Sequence, residues 1–280
     1  MAGRETRPNA FAREASDRTG VKTSFVAIPV AHDGRVWQTA GELREPLAAA
    51  SPRPAIVVVH GSAGVDSRGR GYIVALNAAG FDTLEIDLWA ARGVNSPQER
   101  PKSVVETLPD AFAALDYLSC RNGVDPHRIG IMGFSWGGIV SMLSATERAA
   151  SAFSNVGQRF AAHAPLYPVC WTYNTVPGFE FTALTAAPVF IQTGADDLYD
   201  DPDSCARFVE ALPPDVKQHV TFKTYPGATH AWDRKEPDIT PNDPFAFKGK
   251  GGQVPFRYNE AVTRQSTAAV VEFFSRVLNT

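Results

Sequence analysis

Short apolar runs rich in β-branched residues recur along this chain and alternate with stretches of helical periodicity. The run AIVVVH at residues 55–60 is typical of a strand that is covered on both faces. Further runs of this kind are FDTLEID, RIGIMGF, RFAAHAPLY, APVFIQTG and HVTFKTY. Helical patterns separate or follow them, as in VVETLPDAFAALDYLSC, GGIVSMLSATERAASAF and TRQSTAAVVEFFSRVL. This alternation predicts an α/β fold, with a mostly parallel central sheet and helices on both faces.

The stretch before these runs predicts two antiparallel strands at one edge of the sheet. VKTSFVAIPV and RVWQTAGEL flank Asp33 and Gly34, a pair that is typical of a tight hairpin turn. Residues 1–20 are polar and lack the apolar core of a signal peptide, so they predict an N-terminal arm. With 280 residues, 44% of them hydrophobic, the chain predicts one domain over residues 21–280.

Charge and the length of the apolar runs exclude two classes of partner. The formal net charge is -3, and the basic residues form no patch with interleaved aromatics, so we expect no nucleic-acid partner. No apolar run reaches the length of a membrane span, so we expect no membrane partner. These observations predict a soluble protein, monomeric or homodimeric, that acts on a small molecule.

The sequence IMGFSWGG at residues 131–138 places a serine between a predicted strand and a predicted helix. Ser135 is flanked by Gly133 and Gly137 in a GxSxG pattern. A strand that turns at once into a helix forces the residue between them into a strained conformation, and the neighbouring residues must be small. This context predicts a nucleophile elbow, which projects the Ser135 hydroxyl above the carboxyl edge of the sheet.

A serine hydroxyl is a poor nucleophile until an adjacent base accepts its proton, so a histidine is expected at the same edge. His230 follows the last predicted strand on a turn marked by Pro226 and Gly227. His60 is better interpreted as part of the turn after an earlier strand, and His163 as a hydrogen-bonded core histidine. We therefore predict that His230 is the base.

The carboxylate that orients the histidine should follow a strand between Ser135 and His230. Asp197 lies three residues after Gly194 at the end of such a strand, and Asp196 is the near alternative. The surrounding acids in DDLYDDPD lack the ligand spacing and central glycine of an EF-hand loop, so no metal is predicted.

The tetrahedral intermediate of such a reaction also needs donors for its oxyanion. We expect one donor to be the backbone N–H of Trp136, directly after the serine. The second should come from HGSAG, as the backbone N–H of Ser62 or, failing that, of Ala63.

Taken together, these motifs resemble the dienelactone hydrolase family within the α/β-hydrolases. The resemblance runs from AIVVVHGSAG to the C-terminal helix, through FDTLEIDLWAARG, VDPHRIGIMGFSWGG, TGADD and YPGATHAWD. It implies a hydrolase without metal or organic cofactor that acts on an ester or lactone carbonyl, with Ser135, Asp197 and His230 at the triad positions. Family members proper carry a cysteine nucleophile and an acidic residue beside the oxyanion loop. Ser135 and Gly61 stand at those places here, so the chain looks like the broader esterase branch.

Two arginines are candidate ligands for a substrate carboxylate. Arg234, four residues after His230, matches a position where the family binds that group, and Arg92 lies one residue out of register with another. Either arginine could equally form a structural salt bridge.

Two long, aromatic-rich connections are predicted pocket walls, namely CWTYNTVPGFEFTALT and RKEPDITPNDPFAFKGKGGQVPFRYN. The candidate lining residues are Trp136, Trp171, Tyr173 and Trp232.

The family resemblance also implies a disulfide between Cys170 and Cys205, because related serine-type members carry similar cysteines. Cys120 falls in a predicted helix as a free thiol. Persistent disulfides belong to oxidising compartments, yet no export signal is visible. A cytoplasmic location is the default expectation, and a periplasmic or secreted one is the alternative if the bridge forms.

The leading hypothesis is a carboxylic ester hydrolase that works through an acyl-enzyme. A serine peptidase of the same fold is an alternative, because GxSWGG also resembles the elbow of prolyl-oligopeptidase-type enzymes, although the chain is too short for their propeller. A non-catalytic binding protein that retained the fold is another, and the complete set of triad residues argues against it.

Overall fold

Eight strands form one sheet in the structure, a computed structural model that describes residues 20–279. Its strands are β1 (Val21–His32), β2 (Arg35–Pro46), β3 (Arg53–Val59), β4 (Asp82–Asp87), β5 (Val124–Phe134), β6 (Ala162–Leu166), β7 (Val189–Gly194) and β8 (Val220–Tyr225). They lie in the order β1-β2-β4-β3-β5-β6-β7-β8. A separate two-stranded ribbon pairs β9 (Asn242–Asp243) with β10 (Gly252–Gln253).

The helices occupy the connections between these strands. They are α1 (Ser67–Ala78), α2 (Leu108–Ser119), α3 (Trp136–Ser144), α4 (Glu147–Phe153), α5 (Ser204–Glu210), α6 (Pro214–Lys217), α7 (Ala246–Gly249) and α8 (Glu260–Leu278). Short 3-10 turns lie at Ala90–Arg92, Pro97–Glu99, Val104–Thr107 and Cys170–Thr172. Within residues 20–279, no helix combines the length and the apolar character that crossing a membrane requires. The predicted arm, residues 1–20, lies outside the described residues except for Gly20.

Strands β3 to β8 run parallel, whereas the β1–β2 hairpin joins the edge of the sheet antiparallel to β4. The hairpin turns at Asp33 and Gly34, whose φ angles are 48° and 73°. Positive φ at both central residues suits the right-handed twist of the two strands. The predicted mostly parallel sheet with an antiparallel hairpin at one edge is confirmed.

Both faces of the sheet are covered, which explains the continuous apolar runs. In β3, Val57 and Val59 pack into one core layer with residues of α2, α3, α4 and α5. Ile56 and Val58 point to the opposite layer, where α1 and α8 pack. Successive side chains of a strand alternate between faces, so each face of β3 requires apolar residues.

The stretch GGIVSMLSATERAASAF, predicted as one helix, forms two. Helix α3 ends at Ser144, and α4 begins at Glu147. Thr146 separates them as the N-cap of α4, because its hydroxyl accepts a hydrogen bond of 3.2 Å from the backbone N–H of Ala149. A threonine that bonds this donor begins a new helix and interrupts the old one.

The long connection between β8 and α8 crosses the carboxyl edge of the sheet; we call residues 235–258 the cover segment. It contains β9, α7 and β10, and Phe247 and Lys248 within α7 have left-handed backbones. The backbone N–H groups of these two residues donate to Leu198 O and Tyr199 O, at 2.8 and 3.2 Å. The cover segment is therefore tied to the loop that follows β7.

Candidate active site

Ser135 lies at the junction of β5 and α3, at the carboxyl edge of the sheet. Its φ and ψ are 52° and -107°, a strained combination for a residue with a side chain. Its N–H donates to Leu166 O at 3.0 Å, and its carbonyl accepts from Ile139 N at 2.9 Å in the first turn of α3. These bonds fix the sharp strand-to-helix turn from both sides.

The glycines around Ser135 are required by close approach of backbones. A Cβ on Gly133 would lie 2.3 Å from Gly137 O, and one on Gly137 would lie 2.1 Å from Val59 O. On Gly138 it would lie 2.6 Å from Leu166 O. Real Cβ atoms do not come so close to backbone oxygens, so α3 can pack this tightly on β3, β5 and β6 only with glycine at these positions.

A chain of two hydrogen bonds links Ser135 to a buried carboxylate. Ser135 Oγ lies 2.8 Å from His230 Nε2, and His230 Nδ1 lies 2.7 Å from Asp197 Oδ2. The carboxylate accepts a hydrogen bond from Nδ1–H, and in this tautomer Nε2 is free to accept the serine proton. His230 and Asp197 are both buried, at 2% and 3% exposure, so the bond between them is shielded from bulk water.

The two neighbouring aspartates at this position have different environments. Asp196 is exposed, whereas Asp197 is buried and accepts a second hydrogen bond, of 3.0 Å, from the backbone N–H of Tyr199 at Oδ1. The turn that aims Asp197 inward is closed by a bond from its N–H to Gly194 O at 3.4 Å. The structure thus brings Asp197, and not Asp196, to His230.

Three aromatic rings surround the His230 imidazole. The centroids of Tyr199, Tyr167 and Phe256 lie 4.4, 4.7 and 5.4 Å from its centroid. None of these three residues was predicted from the sequence. Tyr167 directly follows β6, Tyr199 lies in the acidic loop after β7, and Phe256 belongs to the cover segment. The one signal for Tyr199 was its position two residues after Asp197.

The turn after β3 carries the predicted second oxyanion donor. Gly64 N–H donates to Gly61 O at 3.0 Å, and the Trp89 indole N–H donates to Ser62 O at 3.1 Å. Ser62 and Ala63 both line the cavity above Ser135. At Gly61, the buried Arg68 fills the space beside the backbone: a Cβ would lie 2.4 Å from its Nη1.

The other two candidate histidines make hydrogen bonds of their own away from Ser135. His60 accepts from Leu88 N–H at Nε2 and donates to Gly61 O from Nδ1, at 2.9 and 2.7 Å, so it shapes the turn after β3. His163 is fully buried, and burial lowers its pKa to about 4, although its bond to Ser141 O opposes the shift. It is therefore a neutral core residue near neutral pH.

A cavity of about 400 Å³ opens above Ser135 and His230. Its basic lining residues are Arg68, Arg100, Lys102 and Arg234, and Asp243 is an acidic one. Its apolar wall includes Tyr199, Ile239, Phe245 and Phe256. The cover segment, which is the second predicted pocket-wall loop without its first and last residues, contributes Ile239, Asp243, Phe245 and Phe256. Residues of the segment 97–102, for which the sequence carries no such signal, also line the cavity.

Arg234 and Arg92 have different surroundings. Arg234 lines the cavity, donates to Pro237 O at 2.8 Å and lies 3.7 Å from Glu236 Oε2. Arg92 instead forms two hydrogen bonds, of 2.6 and 3.0 Å, with the carboxylate of the buried Asp110. Arg92 thus forms the structural salt bridge that was its alternative interpretation, and its guanidinium has a buried counter-ion.

The four predicted aromatic residues are not among those that line this cavity. Tyr173 and Trp232 are buried in the core, where the Tyr173 hydroxyl donates to Pro168 O at 2.9 Å and Trp232 packs on Tyr167. The Trp171 ring lies against Gly249, and the Trp136 indole donates to Thr107 Oγ1 at 3.0 Å. Packing rather than substrate contact explains these four side chains.

Cys170 and Cys205 form a disulfide, and Cys120 is free and exposed. Ligand atoms of both bridged cysteines and of Asp200 lie within 4.8 Å of one another. The bridged sulfurs offer no thiolate to a metal, and the Asp200 carboxylate accepts backbone N–H bonds from Cys170 and Trp171, at 2.6 and 2.9 Å. Burial and the nearby charge of Asp197 raise the pKa of Asp200 to about 6.

Comparison with known proteins identifies the family. The model of the dienelactone hydrolase family matches residues 40–278. Two uncharacterised proteins of Mycobacterium tuberculosis are 31% identical to this chain, and the match spans 63% of the chain and 63% of each relative. A Synechocystis protein provisionally named carboxymethylenebutenolidase is 25% identical, over 76% of this chain and 87% of its own length.

A solved structure from Klebsiella pneumoniae, provisionally described as a dienelactone hydrolase, shares the fold. Its TM-score with this chain is 0.63 at 20% identity, and the match covers 91% of this chain and 99% of that one.

Proposed function

The chain belongs to the dienelactone hydrolase family, and we propose that it is a serine hydrolase that cleaves carboxylic esters or lactones through an acyl-enzyme. The observation that carries this proposal is the continuous hydrogen-bonded path Ser135–His230–Asp197 beneath an open cavity. The Synechocystis relative supports the substrate class, because the butenolide of its name is a lactone.

In the acylation step, His230 Nε2 accepts the proton of Ser135 Oγ as that oxygen attacks the carbonyl carbon. The Asp197 carboxylate holds the Nδ1 proton in place and stabilises the imidazolium that forms. When the tetrahedral intermediate collapses, the imidazolium gives its proton to the leaving alkoxide, and the acyl group stays on Ser135.

The oxyanion needs donors that face the site before the reaction begins. We assign this role to the backbone N–H groups of Trp136, the first residue of α3, and of Ser62, on the cavity wall. Water then enters, His230 takes its proton, and a second tetrahedral intermediate releases the acid and restores the Ser135 hydroxyl.

The basic residues of the cavity favour substrates that carry a negative charge. Arg234 is retained as the candidate substrate ligand, although Glu236 partly neutralises it. Arg100 lies over the rings of Trp136 and Phe245, at 5.7 and 5.0 Å from their centroids, and its guanidinium is positioned by these contacts.

The test is rapid-mixing kinetics with p-nitrophenyl acetate. We expect a burst of p-nitrophenolate equal to one equivalent of enzyme, followed by slower turnover, and loss of both in Ser135→Ala. Ser62→Ala is the matched control: it removes a nearby hydroxyl but keeps the backbone N–H, so activity should be retained. Turnover of a p-nitroanilide in preference to the ester would support a peptidase, and inactivity toward every ester and lactone tested would support a binding protein.

The Cys170–Cys205 disulfide bears on location. Disulfides persist in oxidising compartments, so the bridge favours the periplasmic or secreted alternative over the cytoplasmic expectation. Blocking of free thiols in intact cells, followed by counting of the thiols in the purified chain, tests whether the bridge on which this inference rests forms in the cell.

A further inference from the structure

A buried carboxylate lies three residues after His230 and takes no part in the proposed reaction path. Asp233 is 1% exposed and is not among the residues that line the cavity. Its Oδ1 accepts a hydrogen bond of 2.6 Å from the Tyr167 hydroxyl, and its Oδ2 accepts one of 3.0 Å from the Tyr72 hydroxyl. A buried carboxylate with two such donors fixes the segment that carries it.

Tyr167 connects this carboxylate to the reacting groups. Its ring and the His230 imidazole meet in an edge-type contact, with centroids 4.7 Å apart and planes at 62°. Tyr167 also directly follows Leu166, whose carbonyl accepts the N–H of Ser135 at 3.0 Å. Its hydroxyl is thus held by Asp233 while its ring contacts His230 and its chain neighbour contacts Ser135.

The backbone on each side of this hydrogen bond is strained. Ala231, between His230 and Asp233 in the chain, has a φ of 55°, and Tyr167 has a φ of 39°. Residues other than glycine keep such conformations only where surrounding contacts hold them. The hydrogen bond from the Tyr167 hydroxyl to Asp233 therefore links the strained turn after β6 to the strained turn that follows His230.

The charge of Asp233 suits this role. Burial raises its pKa to about 6, although the two tyrosine hydroxyls and the positive charge of Arg68 oppose the shift. At neutral pH and above the carboxylate is therefore ionised, and it accepts both hydroxyl bonds as a charged group.

We propose that Asp233 is a positioning residue for His230: through the Tyr167 hydroxyl, its carboxylate holds the strained turn that presents the imidazole to Ser135. This inference rests on the proposed function, in which His230 is the base. It assigns Asp233 a task distinct from that of Asp197, which bonds the imidazole itself.

Tyr72 supplies a matched control, because its hydroxyl binds the other oxygen of the same carboxylate. Tyr72 is as deeply buried as Tyr167, at 1% and 0% exposure. Its ring packs on Phe134, and its hydroxyl also shares a hydrogen bond of 2.8 Å with Ser266. Removal of either hydroxyl takes one donor from Asp233, but only the Tyr167 hydroxyl anchors a ring that touches His230.

The experiment compares Tyr167→Phe, Tyr72→Phe and Asp233→Asn with the wild-type chain. For p-nitrophenyl acetate we expect Tyr167→Phe and Asp233→Asn to lower kcat by about tenfold to a hundredfold, with KM nearly unchanged, because the base is misplaced. Tyr72→Phe should lower the melting temperature at least as much as Tyr167→Phe does, because the Tyr72 hydroxyl also bonds Ser266, and it should leave kcat close to that of the wild-type chain. Equal effects of the two tyrosine variants on kcat, or no effect of either, would overturn the proposal.

A measurement independent of turnover separates this inference from the proposed function. The low-field NMR resonance of the His230 Nδ1 proton, shared with Asp197, should persist in Tyr72→Phe and broaden or shift in Tyr167→Phe. If the wild-type chain hydrolyses no ester, the proposed function fails, and this resonance still reports whether Asp233 positions the imidazole. An unchanged resonance in both Tyr167→Phe and Asp233→Asn contradicts the positioning role. If Tyr167→Phe does not fold, the resonance of Asp233→Asn alone decides.

Discussion

Asp197 and His230 share a hydrogen bond of 2.7 Å in a setting where both side chains are almost completely buried, whereas the adjacent Asp196 is exposed. We predict that Asp197→Asn lowers kcat for p-nitrophenyl esters by about 10⁴-fold, the size of effect known for the equivalent change in a serine protease, because asparagine favours the wrong tautomer of the histidine. Asp196→Asn is the control and should change kcat little. Steady-state kinetics, with circular dichroism to verify folding, makes the comparison. A large loss in Asp196→Asn with a small one in Asp197→Asn would reverse the assignment.

The backbones around Ser135 leave no space for a methyl group on Gly137. A Cβ there would lie 2.1 Å from Val59 O, whereas a Cβ on Gly71, an exposed glycine in α1, would have no neighbouring atom within 4 Å. We predict that Gly137→Ala yields no soluble active chain, and that Gly71→Ala is neutral or raises stability by up to about 1 kcal/mol, as alanine does in exposed helix positions. Thermal melts and yield of soluble protein measure the difference. Normal folding of Gly137→Ala would mean that α3 can move away from β3.

Removal of the Arg92–Asp110 salt bridge is expected to lower the stability of the fold rather than substrate binding. Asp110 is fully buried, so Arg92→Ala would leave its charge uncompensated, at a cost of about 3 to 5 kcal/mol in the free energy of unfolding. Arg70 is the control, because its side chain is exposed and its ion pair with Glu42 is long, at 3.8 Å. Arg70→Ala should therefore cost less than about 1 kcal/mol in the free energy of unfolding. Urea unfolding measures both. A raised KM for an anionic ester, with unchanged stability, would restore the substrate-binding interpretation of Arg92.

The raised pKa of Glu85 is expected to make the stability of the fold depend on pH. Burial, with the nearby charges of Glu42 and Asp66, raises its pKa from 4.5 to about 7. Because the folded state favours the protonated form, the contribution to stability is fully present below pH 4.5 and is lost as the pH rises to about 7. We predict that the free energy of unfolding of Glu85→Gln, measured by urea unfolding across this range, declines less with rising pH than that of the wild-type chain. Parallel curves for the two proteins would show that Glu85 does not titrate in this range.

The disulfide predicts one reactive thiol and a stability that depends on reductant. Thiol titration of the unfolded, unreduced chain should detect Cys120 alone, since Cys170 and Cys205 are bridged. The bridge spans 35 residues, so its reduction should cost about 4 kcal/mol by the loop-entropy estimate. Detection of three thiols would show that the bridge is absent in the isolated protein.

The central strands and the three residues of the hydrogen-bonded path were predictable because local signals mark them. The apolar runs give β3 to β8, and the GxSxG pattern places Ser135 between a strand and a helix. Asp197 and His230 each follow a strand and a turn signal. Since parallel strands end at the same edge of a sheet, residues directly after those strands meet there.

The surroundings of these residues were not predictable, because they depend on the paths of long connections. An aromatic residue has the same sequence signature in a core and in a cavity wall, and so Tyr173 and Trp232 could not be distinguished from Tyr199 and Phe256. Likewise, the partner of Arg92 is 18 residues distant, and no local pattern indicates that Asp110 would meet it. The role inferred for Asp233 required knowledge of two backbone conformations that the sequence does not reveal.

Under the proposed function, the cover segment places most of the apolar cavity wall on a part of the chain that contains none of the three reacting residues. Ser135, Asp197 and His230 all lie before this segment in the chain, at or near strand ends, while residues 235–258 supply much of the cavity wall. Substitutions of cavity-facing side chains such as Ile239 and Phe245 would then change which acyl groups fit. Phe256, which packs on His230, and the bond that ties Phe247 to the loop after Asp197 would have to be kept. The cavity-facing positions of this stretch are therefore a natural unit for library design aimed at substrate preference.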